Sequence, residues 1–402
     1  MTPEVMGNPV DQIFVTLKHW LLGFCPEAYL PIASILLSVI PIMAVFGGLF
    51  ALTTILERKG LGRIQNRYGP NRVGPCGLFQ PIADGVKMLT KEDIVPRAAD
   101  QVIHFLAPFA LIGPVYIAYS VLPVGRNMAA LDLDAGLLFF FAVGAGSELA
   151  IFMGGWSSRN KYSLLGAMRA VAQMISYEVP LILSSVPVIM LAGSLSPTAI
   201  VDAQGGHSYG LMQWHLFTPW GVAGFFLFMI AAAAEANRTP FDIPEGESEI
   251  IAGYMVEYSG FKFALFFLGE YLGLFAICGL GITLFLGGWH SPFVFLEWIH
   301  SYFWFFGKLI AMIFVFIWLR GTLPRLRMDQ LMGFGWKFML PMTLLNILVA
   351  AIWHLSKTWL FPGVYLTRWA LCLGILCVAY VWLGRSLAGN RSVGKRVYRF
   401  AD

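Results

Sequence analysis

The chain has 402 residues, of which 58% are hydrophobic, 15% aromatic and only 12% charged. Soluble domains average roughly 45–50% apolar and about 25% charged residues, so this charge is too sparse to cover a water-exposed surface. The balance, with a mean hydropathy of +0.70, excludes a soluble enzyme, a disordered scaffold and a nucleic-acid-binding protein, and reads as an integral membrane protein.

Residues 11–24 (DQIFVTLKHWLLGF) are too short and polar to cross a bilayer and predict an amphipathic helix at the interface, within an N-terminal segment 1–28. That segment lacks a basic start and a small-residue cleavage site, so no removable signal peptide is expected. A bilayer core about 30 Å thick needs roughly 20 apolar residues in a helix. Stretches that qualify run over 29–56, 102–122, 136–156, 164–193, 219–238, 263–288, 302–323, 336–355 and 364–384. The expected fold is therefore an all-α polytopic membrane protein with about nine transmembrane helices. Eight form a core over 29–355, and 356–402 adds an extra C-terminal helix and a basic tail.

Most lysines and arginines fall in one set of loops and in the tail, whereas Lys18, Arg126, Lys357 and Arg368 fall on the other side. The positive-inside bias places the N-terminus outside and the C-terminus in the cytoplasm or its organellar equivalent. Two inside loops, 58–100 and 239–261, far exceed the usual helix connections of about 2–8 residues. Their turn-forming and aromatic composition favours function over disorder. In the first, glycines and prolines force turns while Arg58, Lys59, Arg63, Arg67 and Arg72 crowd the membrane face. Leu78, Phe79, Ile82, Val86 and Leu89 then mark an amphipathic helix. The plainer reading is a topology-setting basic loop. The sharper one is a mouth for an amphipathic ligand, since irregular backbone at membrane depth is tolerated where it lines a cavity.

The second loop gathers Glu245, Glu247 and Glu249, with Asp242 and Glu257 nearby. Such a run is commonly a solvated acidic face, but here it abuts Glu235 on the preceding span. Glu148, Glu178, Glu235 and Glu270 lie within spans, as do Arg169 and Lys308. Ionisable groups at helix centres cost at least about 2.5–3.5 kcal/mol on insertion scales. Counted by rise per residue, the acids descend from the inner interface toward mid-bilayer. Desolvation favours the protonated form of a carboxyl, so the series reads as a proton path; unrelated packing glutamates are the alternative.

Cys25, Cys76, Cys278, Cys372 and Cys377 contain no CxxC pair, which excludes a four-thiolate cluster or structural zinc site within the chain. His104 and His354 sit at different depths and cannot share a haem, and no nucleotide-binding glycine pattern is present. Electrons, if any, come from a partner.

Several ordered motifs resemble one family. Arg58-Lys59, Leu61-Gly62, Gln65, Arg67, Gly69-Pro70-Asn71, Val73-Gly74, Gln80-Pro81, Ala83-Asp84 and Lys87 are similar to the first inside loop of the NADH dehydrogenase subunit 1 family, a membrane subunit of respiratory complex I. The run from Glu235 through Asn237-Arg238, Pro240-Phe241-Asp242 and Glu245 to Glu249, with Glu257-Tyr258, resembles its second signature. Arg169 to Glu178 and Arg320 to Leu331 add shorter matches. The resemblance implies a heel subunit of a proton-translocating NADH–quinone oxidoreductase, with no covalently bound cofactor and no redox centre of its own. Ubiquinone or menaquinone would be substrate, and FMN and Fe–S clusters would reside in partner subunits. Arg58, Lys59, Arg63, Arg67, Asp84, Arg320, Arg325 and Asp329 would frame the quinone chamber. Glu235, Glu245, Glu247 and Glu249 would couple quinone reduction to protonation, with Glu270, Glu178 and Glu148 leading onward. Implied partners are peripheral-arm Fe–S and quinone-site subunits at the cytoplasmic loops, small membrane-arm subunits, and lipid. The expected location is a bacterial inner membrane rather than a mitochondrial one. The equivalent subunit of a membrane-bound hydrogenase-type complex is the alternative, followed by a secondary ion transporter. The extra helix departs from the family's usual eight spans.

Overall fold

A computed structural model of the chain describes residues 9–205, 210–243, 252–296, 298–356 and 364–389. The described residues are helical and contain no strand. A short amphipathic helix α1 (Ile13–Leu22) precedes α2 (Leu30–Ile64), and α3 (Gln80–Thr90) lies in the following loop. Then come α4 (Gln101–Tyr119), the broken pair α5 (Gly136–Gly144) and α6 (Gly146–Ser157), and the long α7 (Lys161–Ala192). The short α8 (Pro197–Ala203) leads to α9 (Pro219–Glu235), α10 (Gly260–Phe285) and α11 (Ser301–Thr322). Helix α12 (Met328–Phe334) passes through a π-helical turn (Gly335–Met339) into α13 (Leu340–Leu355), and α14 (Val364–Gly389) closes the chain.

Among the described residues, eight helical segments are long and apolar enough to cross a membrane. The expected span at 219–238 is shorter: α9 has 17 residues and stops at Glu235. Side-chain caps set several boundaries. Asn160 Oδ1 accepts from the Tyr162 backbone N–H at 2.9 Å to start α7, and Thr218 Oγ1 accepts from the Gly221 N–H at 3.1 Å to start α9. Gly193, in the left-handed region at φ +68°, ends α7.

Helix α10 is the hub. In its most apolar stretch 61% is buried, against 11% in α2 and 17% in α14, which identifies the last two as peripheral. Phe266, Phe275 and Phe285 of α10 are fully buried, together with Tyr119 of α4, Tyr177 of α7 and Phe228 of α9. The run Ala231–Ala234 lets α9 press closely on α7, as small residues do in membrane helix packing.

One boundary moves candidate residues. Helix α2 does not stop where its apolar stretch ends but continues to Ile64, so Glu57, Arg58, Lys59 and Arg63 ride on a helix. The continuation is locked because Gly62 packs on the backbone of the returning loop. A Cβ there would meet the Arg67 carbonyl oxygen and the Gly69 nitrogen at 3.0 Å. Helix α14 packs on α13 and α9 through Cys372, Leu376, Ala379 and Leu383, a one-sided stripe. Its first turn is fixed by Arg368, which donates to the Trp353 carbonyl and to Ser356 Oγ, both at 2.7 Å, and lies 4.0 Å above the Trp353 ring.

Candidate functional site

The end of the bundle where α2 and α9 finish carries most of the candidate residues. Thr53 and Glu57, one helical turn apart, both face inward and are buried. Glu57 accepts hydrogen bonds from Arg320, at the end of α11, and from the Tyr271 hydroxyl on α10. Arg238, just beyond α9, reaches the same carboxylate at 3.4 Å while its guanidinium lies 4.0 Å above the Tyr271 ring. Asn237 at φ +48° and the cis Thr239–Pro240 bond turn the chain there, and the Arg238 N–H is held by the Ala233 carbonyl at 3.1 Å. These side chains line a small cavity with Leu274, Ile313, Phe316 and Ile317. Two guanidiniums against one carboxylate leave the cluster with a net positive charge, suited to an electronegative oxygen. Removing one partner of a buried pair strands the other at a cost of about 3–5 kcal/mol.

Around this cluster lie two further ion pairs. Arg325 meets Asp242 at 3.0 Å, and Arg58 meets Asp84 of α3 at 2.5 Å. Gln80 Nε2 at 3.2 Å and Lys87 at 3.8 Å complete the Asp84 set and fix α3 against the end of α2. Lys59 donates to the Cys76 carbonyl at 2.5 Å, across a turn that needs the left-handed Gly74 and Gly77. Arg63, Arg67 and Asp329 are exposed; Arg67 bonds Gln65 at 2.7 Å, and none of the three joins the Glu57 cluster. The loop end thus unites Arg320 with Glu57 and Arg58 with Asp84, but does not collect all eight residues into one cavity.

Four of the expected acids lie on four helices. Glu148 sits in the first turn of α6, just past the break in its span, Glu178 near the middle of α7, and Glu235 at the last position of α9. The three are close enough to influence one another electrostatically. Glu148 Oε1 and Glu235 Oε2 are buried with no hydrogen-bond partner among the described residues. Glu270 on α10 accepts from the Tyr254 hydroxyl at 2.6 Å. Tyr254 is fully buried in a 3-10 turn (Gly253–Met255) that packs so tightly on α7 that a Cβ at Gly166 would come 2.7 Å from Gly253. The returning segment is pinned again where Tyr258 stacks on His104 at 4.0 Å and meets Ser157 Oγ at 3.2 Å. Burial pushes the Tyr258 hydroxyl up to about 12, keeping it a neutral donor or acceptor. Glu245, Glu247 and Glu249 lie outside the described residues.

Three members of the Glu57 cluster escape a reading by sequence. Glu57 looks like the first charge of a loop, Arg238 like one of many topology-setting basics, and Tyr271 like an ordinary span aromatic. The available signal is positional: Arg238 follows Glu235 by one turn, Tyr271 follows Glu270 directly, and Thr53–Glu57 keeps helical spacing past the apolar limit.

Comparison with known proteins gives consistent matches. The family model described as NADH dehydrogenase matches residues 37–351. The NADH-quinone oxidoreductase subunit lettered H from Dehalococcoides mccartyi strain CBDB1 is 50% identical, over 74% of this chain and 80% of that protein. The protein of the same name from Geobacillus kaustophilus is 46% identical over 82% of this chain and 94% of its own length. That from Polaromonas naphthalenivorans is 42% identical over 86% and 97%. The family match ends within α13, before α14 begins.

Proposed function

The chain belongs to the NADH dehydrogenase family, and on that footing we propose that it is the membrane subunit of a proton-translocating NADH–quinone oxidoreductase that carries part of the quinone chamber and the start of the proton path. One observation carries this reading. The charged cluster around Glu57 and the acid series interleave along the chain: α9 ends at Glu235, three residues before Arg238, and α10 carries Glu270 beside Tyr271.

The chemistry follows from the charges. A quinone becomes a quinol by taking up two electrons and two protons. Fe–S and FMN groups of partner subunits would supply the electrons, and a reduced quinone oxygen carries negative charge until it is protonated. Arg238 and Arg320 would stabilise that charge, and the Tyr271 hydroxyl, hydrogen-bonded to Glu57 beside them, is a donor of the same cluster. Negative charge in this cavity weakens the hold of the guanidiniums on Glu57. A changed field at Arg238 and Tyr271 acts on Glu235 and Glu270, their neighbours on the same elements. Arg58, Lys59, Arg63, Arg67, Asp84, Arg325 and Asp329 form the rim, where the exposed residues meet the peripheral-arm subunits. Glu178, Glu148 and the acids Glu245, Glu247 and Glu249 extend the path toward the small membrane-arm subunits. The loop end faces the cytoplasm of a bacterial plasma membrane, with the N-terminus outside.

The test is Glu57→Gln in the assembled complex in native membranes. The expected outcome is a quinone KM raised about tenfold, from loss of roughly one charged hydrogen bond, with the subunits still co-purifying. Unchanged quinone kinetics would remove the cluster from the quinone site.

A further inference from the structure

Gln173 is fully buried on α7, one helical turn past Arg169 and five residues before Glu178. Its Nε2 donates to the Ala234 carbonyl at 2.7 Å and to the Phe241 carbonyl at 2.7 Å, with Asn237 Oδ1 at 3.2 Å. Backbone carbonyls accept only. The NH2 edge of the amide must therefore face Ala234 and Phe241, and its orientation is fixed by chemistry rather than chosen. That leaves Oε1 on the opposite edge, buried and without a donor among the described residues. Ala234 immediately precedes Glu235, whose Oε2 is also buried and undonated, and Glu148 Oε1 is the third such atom in the group.

Gln173 Oε1, Glu235 Oε2 and Glu148 Oε1 are acceptors without donors among the described residues, on α7 and on the two helices α9 and α6 that pack against it, and such burial is costly. Each unsatisfied buried acceptor costs about 1–3 kcal/mol, and buried water typically makes about three hydrogen bonds to such groups. A donor that serves several acceptors at once, and can pass a proton between them, is water. We infer that Gln173 is a positioning residue of the proton path: its Oε1 orients an internal water against the Glu235 carboxyl while its NH2 group clamps the end of α9 that presents Glu235. This rests on the proton-path reading above. It adds a neutral amide to a route otherwise made of acids and assigns the two edges of that amide different tasks.

The two edges can be separated in the assembled complex reconstituted into vesicles. Gln173→Leu removes both edges. Gln173→Glu, as a neutral carboxyl, keeps an acceptor oxygen and one donor. The expected result is that Gln173→Leu lowers protons moved per NADH oxidised about tenfold, while Gln173→Glu retains most of the pumping but loses it at alkaline pH, where the new carboxyl ionises. Normal pumping by Gln173→Leu overturns the inference, as does an equal loss in both variants with the wild-type pH profile. If Gln173→Leu does not assemble, a high-resolution map of the wild-type complex decides. Water within hydrogen-bond distance of Gln173 Oε1 and Glu235 supports the inference, and a protein donor in that place overturns it. Glu235→Gln separates the two levels. Normal pumping by that variant removes the proton-path reading itself, whereas its inactivity beside a normal Gln173→Leu removes only the role of Gln173.

Discussion

Two ends of the same bundle hold ionisable side chains inside helices, and they treat them in opposite ways. At the end where α11 begins, Lys308 donates to the carbonyls of Leu286, Gly288 and His290 at 2.7–2.8 Å and lies 4.1 Å above the Trp214 ring. Those carbonyls follow the end of α10, so the ammonium satisfies orphan acceptors and opposes the negative end of the helix dipole. All three protons of the group are used. Toward the loop end, Glu235 at the last position of α9 and Glu148 near the middle of its span each keep an oxygen without a donor, and no cation is paired with either among the described residues. Intramembrane charge by itself therefore says little about function. What distinguishes the two ends is whether the hydrogen-bonding capacity is used up, because only an unfinished set can accept and release a proton without dismantling the fold.

The contrast can be broken by exchanging which property is lost. The largest effect is expected from Glu235→Gln, which keeps size and hydrogen bonding but cannot ionise. Proton pumping by reconstituted complex should fall at least tenfold, with subunit composition and melting temperature near wild type. A large drop in assembly with normal pumping in what remains would place Glu235 with Lys308 as a packing group. Lys308→Met should do the reverse. Three carbonyls lose their donor, and stability should fall by about 2–4 kcal/mol, read as a lower melting temperature of the purified complex. Quinone KM and protons per electron should stay unchanged, and a shifted stoichiometry would carry Lys308 into the proton path.

The smallest effect concerns His215, which lies outside the spans and donates from Nδ1 to the Leu284 carbonyl at 2.9 Å. Burial holds its imidazole below the usual histidine range, partly offset by that hydrogen bond. The folded protein then binds the proton less readily than the unfolded chain. Stability is complete above a pH of about 6.5 and declines as the pH falls below it. His215→Asn offers an N–H donor but does not titrate, so its melting temperature should fall less than wild type between about pH 7.5 and about pH 5.5. Equal acid sensitivity would assign the effect to other groups.

Much of this architecture is legible in the chain, because a span announces itself by composition. Apart from the break at Ala145, the interior of every expected apolar stretch is helical, and the stripe's Ile82, Val86 and Leu89 are exposed on α3, with Leu78 and Phe79 just before it. The breaks are less legible. Nothing in the apolar run 136–156 signals the interruption at Ala145, and the π-helical turn at Gly335–Met339 leaves no periodicity of its own. Hydropathy marks where a helix leaves lipid, not where hydrogen bonding stops, which is why α2 outruns its apolar segment. The Glu57 cluster draws its members from α2, α10, α11 and the chain after α9. Spacing along one helix can place Thr53 and Glu57 on one face, but the partners come from more than 180 residues away.

The length of α2 has a consequence for how the site relates to its surroundings. Its 35 residues extend about 52 Å at 1.5 Å per residue, against a hydrocarbon layer about 30 Å thick. Even a tilt of about 40° leaves roughly 10 Å of helix standing clear of the acyl chains, and Glu57 lies within the last two turns or so. Excess length at the Ile64 end of α2 would carry Glu57 toward the headgroup level. The quinone proposed for this site would then have to raise its polar head out of the acyl layer while its tail stays behind. Under that proposal bilayer thickness becomes a variable of the chemistry, since thicker lipid would bring the acyl boundary up to the cluster and thinner lipid would lower it away.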